Sequence, residues 1–202
     1  MNSEIQIIEK PSWVSWDEIH EVLVKAHASN VANGIKMFKP TLLGPEIEKE
    51  IGDTGKMFVA LEGNTIVGTL ALVKKEGRRW YINGEYGYLC FGAVLPEWSG
   101  KGIYKSLYQY AEATAKQMNL SVLTRDTNEK NVRMLKISKK EGYSFVECKV
   151  CKDHFNIIRA KWLDKCPFPL WYIKVRYYIS KLFRKTRYKL DSDKGIVKRF
   201  GL

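Results

Sequence analysis

The stretch Tyr86-Gly-Tyr-Leu-Cys-Phe-Gly-Ala-Val-Leu-Pro-Glu-Trp-Ser-Gly-Lys-Gly-Ile-Tyr-Lys-Ser-Leu107 decides how the rest of the chain is read. Tyr86 to Leu95 is an apolar run of strand type, and alternation along it puts Tyr86, Tyr88, Cys90 and Gly92 on the face of Val94. Pro96 has no N–H to give to a ladder, so it closes the strand. Glu97 to Gly102 form a turn with two glycines. From Ile103 the apolar spacing becomes helical, with Ile103, Leu107, Tyr110, Ala111, Thr114, Ala115 and Met118 on one face. The first turn of a helix leaves four N–H groups without helical partners, at the positive end of its dipole. Glycines let a phosphate approach that backbone and Lys101 adds charge, so strand, glycine turn and helix together read as an anion site.

Working outward, the N-terminal side supplies a first strand over Glu4 to Glu9 around Ile5 and Ile7. Ser15-Trp-Asp-Glu18 is a capping-box pattern that opens a helix through about Ser29, with Ile19, Val22, Leu23 and Ala26 on one face. Gly34 stops it, Ile35 to Gly44 is a loop with Met37, Phe38 and Lys39, and Pro45 suits the start of a short helix to Ile51. Met57 to Leu61 and Thr65 to Val73 are strands joined at Glu62-Gly63-Asn64, a hairpin signal. Lys74 to Arg79 read as a charged loop and Trp80 to Ile82 as an edge extension. On the C-terminal side, Leu120 to Thr124 is a strand. Asp126-Thr-Asn-Glu129 caps a helix through about Lys140, and Gly142 ends it. Tyr143 to Val150 and Asp153 to Lys161 are the last strands. The sum is an α/β (α+β) fold: a mixed, mostly antiparallel sheet with helices on both faces.

The chain has 202 residues, enough for one domain with an appendage and a real core. A hydrophobic fraction of 45% excludes a disordered protein, and a net charge of +12 points to an anionic partner. The start of the chain lacks the basic-then-apolar layout of a signal peptide, and no run approaches the roughly 18 apolar residues of a membrane span. Four cysteines do not make a disulfide framework at this length, so a cytoplasmic location is expected. Cys148-Lys-Val-Cys151, with His154 and Cys166 after it, would need four converging ligands to hold zinc. The two ends of that C-x-x-C point to opposite faces if extended, and no metal is expected. His20 and His27, seven apart on the first helix, read as surface or core residues.

The central stretch resembles motif A of the GNAT superfamily of N-acetyltransferases. There a strand ending in Val-x-Pro is followed by Gln/Arg-x-x-Gly-x-Gly/Ala at a helix start. Here Val94-Leu95-Pro96 is followed by Ser99-Gly100-Lys101-Gly102-Ile103-Tyr104. Ser99 and Tyr104 depart from the pattern; Gly102 and the pair Gly100-Lys101 fit it. Asn131, Met134, Gly142 and Tyr143 hold the places of the family's motif B. The resemblance covers roughly Ile5 to Ala160, taken as a domain over residues 1–160 with a basic, aromatic-rich extension over 161–202.

What the resemblance implies is a GNAT-like (acyl-CoA N-acyltransferase) fold and transfer of an acetyl group from acetyl-coenzyme A to an amine. The pantetheine arm would lie in a gap between Tyr86–Leu95 and Leu120–Thr124. The backbone at Val94 and Leu95 would bind the thioester carbonyl and its developing oxyanion. Ser99, Gly100, Lys101, Gly102, Ile103 and Tyr104 would hold the pyrophosphate, and Asn131 would contact the arm. The acceptor pocket would be lined by the first helices and the Ile35–Gly44 loop. An acceptor amine of pKa about 10.4 must lose a proton before it attacks. Tyr88 stands where some members place a glutamate base, and Glu85 is the nearest carboxylate. Ser138 stands where many place a tyrosine acid for the leaving thiolate. These departures leave two functions open: an acetyltransferase acting on a primary amine of a small acceptor, an amino sugar among them, and a non-catalytic acyl-CoA-binding or interaction module.

The extension holds twelve Lys and Arg from Lys161 to Arg199 against Asp164, Asp191 and Asp193, most of the net charge. Leu170, Ile173, Tyr177 and Leu182 are candidates for one apolar stripe on a basic helix. Three uses compete: docking on the domain or on a second copy as a homodimer, peripheral contact with an anionic (inner) membrane surface, and nucleic acid. No base-reading motif supports the last.

Overall fold

Ser15 begins the first helix as its spacing predicts. The hydroxyl accepts from the Glu18 N–H at 3.1 Å, and the Glu18 carboxylate accepts from the Ser15 N–H at 2.7 Å, so two orphan donors are satisfied reciprocally. The computed structural model describes residues 5–35, 42–151 and 154–193. These form two compact units, Met1–Leu123 and Thr124–Leu202. Together they carry seven mostly antiparallel strands and five helices among the described residues, a mixed α/β architecture.

The first unit contains β1 (Ile5–Glu9), α1 (Trp16–Ala32), α2 (Gly44–Ile51), β2 (Lys56–Glu62), β3 (Thr65–Arg79), β4 (Ile82–Val94), a 3-10 turn (Pro96–Trp98), α3 (Ile103–Gln117) and the start of β5 (Val122–Asn128). Strands β1 to β4 lie side by side in chain order, each antiparallel to the next. Gly63 takes φ +56 in the two-residue turn between β2 and β3, a conformation that a side chain would resist. Lys74 to Arg79 are not a loop. They pair with Asn83 to Gly87 and Ile82, so β3 and β4 form one long hairpin whose turn is Trp80–Tyr81. The charged run had the look of a loop because its own residues are exposed or half-buried, while the apolar contacts of this end come from Tyr81 and Ile82.

The two faces of the sheet are covered differently. Ile19, Val22 and Leu23 of α1 and Ile47 and Ile51 of α2 pack on Met57, Val59, Ala71, Val73, Ala93 and Leu95. Each fully buried side chain of this size contributes about 1.5–3 kcal/mol. On the other face α3 buries Ile103, Leu107, Tyr108, Ala111 and Ala115. Tyr110, expected on that stripe, is exposed and meets Phe58 only by its edge, with ring centroids 5.2 Å apart. Tyr108 takes the interior place. Gly87 is required where it stands: a Cβ there would come within 2.5 Å of Leu123 and 2.7 Å of Leu72.

The second unit contains the rest of β5, α4 (Val132–Lys140), β6 (Ser144–Val150), β7 (Phe155–Trp162) and α5 (Leu170–Asp193). Its strands run in the order β5-β7-β6, with β6 and β7 antiparallel. Asp126 to Asn128 end β5 rather than capping a helix. The cap of α4 is Asn131, whose side chain accepts from the Met134 N–H at 3.0 Å. The extension does form a helix, and it belongs to this unit. Tyr177 packs with Cys148 and Ile157, and the Ser180 hydroxyl accepts from the Cys148 N–H at 3.2 Å. Burial, then the neighbouring Cys148, pushes the Tyr177 phenol up to about 12. Ile173 and Tyr177 are inside, as expected, but Leu170 and Leu182 are exposed, so the four do not make one stripe.

Candidate functional site

The anion-type turn forms as the sequence predicts. Leu95 N–H donates to Val67 of β3 at 2.9 Å. Donors alternate along an antiparallel strand, so the Val94 N–H points away from β3. Trp98 and Ser99 close the 3-10 turn onto Leu95 and Pro96, at 3.0 and 3.1 Å. Gly100 and Gly102 then take φ +83 and +82, and a Cβ at either would meet nothing within 4 Å. Only glycine adopts this backbone without strain, and the outer side of the turn is left open. Gly102 is the cap residue of α3, no side chain caps the helix, and its first turn holds no acid. Lys101 Nζ lies 3.9 Å from the Trp98 ring centroid, which tethers one cation beside the turn. Ile103 is buried, and Ser99 and Lys101 are exposed. The result is a basic, acid-free helix start at the C-terminal end of β4.

Just before it, β4 is not regular. Thr69 pairs with Ala93 and Ala71 with Cys90, so Leu70 of β3 faces both Phe91 and Gly92. This is a β-bulge with one extra residue on β4. Phe91 sits at φ +51, a left-handed conformation costly for a side chain with a bulky ring. Thr69, fully buried, donates its hydroxyl to the Phe91 carbonyl at 2.9 Å. Tyr104 of α3 lies over Gly92, whose missing Cβ would be 3.1 Å from both Cε2 and Oη of that phenol. From α1, His27 is 8% exposed and hydrogen-bonds the Gly92 backbone. Burial pushes the imidazole below its ordinary pKa, and the bond to Gly92 pulls the other way, as an N–H donating to a carbonyl does. Asn30 Nδ2 stands 3.5 Å from its Nδ1.

The bulge overturns one expectation. Tyr88 and Cys90 pair with Val73 and Ala71, on the face covered by α1 and α2. Beyond the extra residue the parity flips, so Ala93 and Leu95 share that face. Val94 looks the other way, beside Leu107: a Cβ on its partner Gly68 would touch both at 3.2 Å. Tyr88 and Val94 are therefore on opposite faces. Tyr88 is half-buried with Lys75 Nζ 4.3 Å from its ring centroid. Glu85 is exposed and pairs with Lys74 at 2.6 Å. It precedes Val94 by nine residues, about 30 Å of strand, which is beyond direct reach.

In the second unit Ser138 is fully buried. Its hydroxyl donates to the Met134 carbonyl at 2.8 Å and accepts from the buried Arg159 guanidinium, which also reaches the Met134 carbonyl at 3.4 Å. Both capacities of the hydroxyl are engaged. Asn131 is buried and committed through its side chain to capping α4. Of the acceptor loop, residues 36–41 lie outside the described residues. Among the described residues no group of three or more His, Cys, Asp or Glu converges as for a metal. Thr69 was missed by sequence reading, and His27, read as a surface or core residue, is buried and bonded to Gly92. The available signal was Gly92, since a glycine inside a strand marks a bulge or a close approach.

Comparison with known proteins bears on what this arrangement is. Residues 16–140 match the model of the acetyltransferase (GNAT) family. No curated protein sequence matches the chain significantly. Among solved structures, a GNAT-family acetyltransferase of Staphylococcus aureus Mu50 superposes with a TM-score of 0.64 at 18% identity, over 80% of this chain and 100% of its own. One from Streptococcus agalactiae 2603 gives 0.64 at 20% identity, covering 80% and 96%. A GNAT-family acetyltransferase from Elizabethkingia anophelis with acetyl-CoA bound gives 0.55 at 14% identity, covering 80% and 99%. At these identities the likeness is one of fold.

Proposed function

The chain belongs to the acetyltransferase (GNAT) family, and from that premise we propose that it transfers an acetyl group from acetyl-coenzyme A to the primary amine of a small acceptor, by direct attack in a ternary complex. The observation that carries the reading is the turn itself: two left-handed glycines with open outer faces, and a helix start with no capping side chain, no acid in its first turn and Lys101 alongside. That surface suits a pyrophosphate. Ser99, Gly100, Lys101, Gly102, Ile103 and Tyr104 would hold it. The Val94 N–H, turned away from β3, would donate to the thioester carbonyl and more strongly to the oxyanion that develops there. In the step the C–N bond forms, the C–S bond breaks, the amine gives up a proton and the departing sulfur leaves as thiolate or gains one.

Tyr88 lies on the face opposite Val94, the side of α1 and α2 where the acceptor is expected. Its proposed part is to order a water for the amine from that side, a tyrosine being a poor base at neutral pH on its own. Glu85 would act only through intervening solvent. Ser138 and Asn131 remain the motif-B candidates, and their observed bonds favour holding α4 in place. Among small amines, an amino sugar is the acceptor to test first, because surface-polysaccharide assembly takes place at a membrane and the C-terminal helix is basic and aromatic.

A second reading, an acyl-CoA-binding module without turnover, is favoured by one observation: the Ser138 hydroxyl already donates to Met134. A thiol-reactive dye with acetyl-coenzyme A and a panel of amines separates the two. Free thiol released only when an amine is present supports transfer. Calorimetric binding of the thioester with no release across the panel supports the module, and no binding refutes both.

A further inference from the structure

Helix α5 is apolar on two sides. Ile173 and Tyr177 turn inward to the strands of their unit, with Phe145 and Tyr177 ring centroids 5.7 Å apart and Phe155 and Tyr188 5.2 Å apart. Lys185 reaches Glu129 at 2.7 Å and Arg184 reaches Glu147 at 3.7 Å, which fixes the rotation of the helix. At 3.6 residues per turn the opposite side is occupied by Trp171, Val175, Tyr178, Ile179, Leu182 and Phe183. These six are 47–72% exposed. Single exposed apolar residues need no explanation, but a contiguous stripe of six large ones marks a contact surface.

The charges say which kind. Lys174 and Lys181 border the stripe on one side and Arg176 and Arg187 on the other, and no Asp or Glu occurs between Leu170 and Lys189. A second copy laid on this face would bring basic flanks against basic flanks, with no acid beside the stripe to offset them. A nucleic acid would leave the apolar stripe idle. The helix is not built to cross a bilayer either: among the described residues none is long and apolar enough. We propose that the outer face of α5 lies on an anionic lipid surface, with Trp171, Val175, Tyr178, Ile179, Leu182 and Phe183 in the headgroup–acyl boundary and the Lys and Arg flanks at the lipid phosphates. This rests on α5 and its own unit alone, so it stands or falls separately from acetyl transfer.

The test is flotation of the full chain with phosphatidylglycerol–phosphatidylcholine vesicles against pure phosphatidylcholine vesicles, at low and high salt. The chain floats with the anionic vesicles, and high salt weakens it. Lys174→Gln and Arg176→Gln each lower the partition coefficient about fivefold, the effect of one charge near the surface. The double variant Leu182→Glu, Phe183→Glu abolishes flotation and keeps the parent unfolding midpoint, because both side chains are exposed. Three results overturn the proposal: no flotation with anionic vesicles, flotation undiminished in the double variant, or a lipid-free dimer in sedimentation that the double variant splits.

Discussion

Replacing Gly92 by Ala probes the centre of the site with a single methyl group. Gly92 is not among the glycines with positive φ, so the backbone accepts the change and only space decides. The added carbon would lie 3.1 Å from Cε2 and Oη of Tyr104 and 3.2 Å from Cδ1 of Leu70. Carbon pairs prefer about 3.5–4.0 Å, so each neighbour must yield a few tenths of an ångström. Both are ends of side chains, which places the cost at the low end of overpacking, about 1 kcal/mol. For a chain of this size that corresponds to about 2–4 °C in Tm. The assay is a urea midpoint for four proteins: parent, Gly92→Ala, Tyr104→Ala and the pair. With the phenol gone most of the clash goes too, so Gly92→Ala should cost under about half as much in the Tyr104→Ala background. Because Tyr104 lies in the first turn of α3, the single variant should also raise the KM for acetyl-coenzyme A. If Gly92→Ala costs the same in both backgrounds, Tyr104 does not cover the bulge and the assembly of this site from β4 and α3 is wrong.

Three further outcomes follow from other bonds. Burial lowers the His27 pKa, so the unfolded chain takes up that proton at a higher pH than the folded one; stability is complete above about pH 6.5 and is lost as pH falls through the folded value. The Tm should therefore drop more steeply on acidification in the parent than in His27→Gln, and parallel profiles would contradict a buried neutral imidazole. Ser138→Ala removes an acceptor from the Arg159 guanidinium, with an expected loss of about 1.5–3 kcal/mol and little change in kcat. A fall in kcat on the order of a hundredfold with stability intact would instead identify the hydroxyl as the acid. Thr69→Val keeps the shape but takes the donor from the Phe91 carbonyl, for about 1 kcal/mol by urea midpoint; no change would mean that Thr69 does not hold the bulge.

The readable parts of this chain were those governed by local rules. The Ser15 capping box, the Gly63-Asn64 turn and the strand–turn–helix around Gly100 and Gly102 each declare themselves within a few residues. The bulge did not, because Phe91 and Gly92 continue an apolar run and the missing partner is on another strand, opposite Leu70. With it went the face of Val94. The partner of His27 was illegible for the same reason: it is a backbone group sixty-five residues on, at Gly92. Helix α5 misled differently. Two apolar sides on one helix leave the hydrophobic spacing without a phase, so Ile173 and Tyr177 were grouped with Leu182, which points the opposite way.

One spare residue in β4 turns distance along the chain into a fixed setting. Deleting Phe91 would leave Gly92 as the one residue opposite Leu70, so the ladder would run from Cys90 to Ala93 without a bulge and Val94 would keep its face opposite Gly68. Losing Gly92 as well would invert strand parity: Val94 would swing toward α1 and Leu95 toward α3, and the glycine turn would leave the sheet rolled by half a rotation, its exposed amides aimed elsewhere. Between Cys90 and Val94 it is the number of residues, more than any one side chain, that decides which way the amides at the strand's end are aimed.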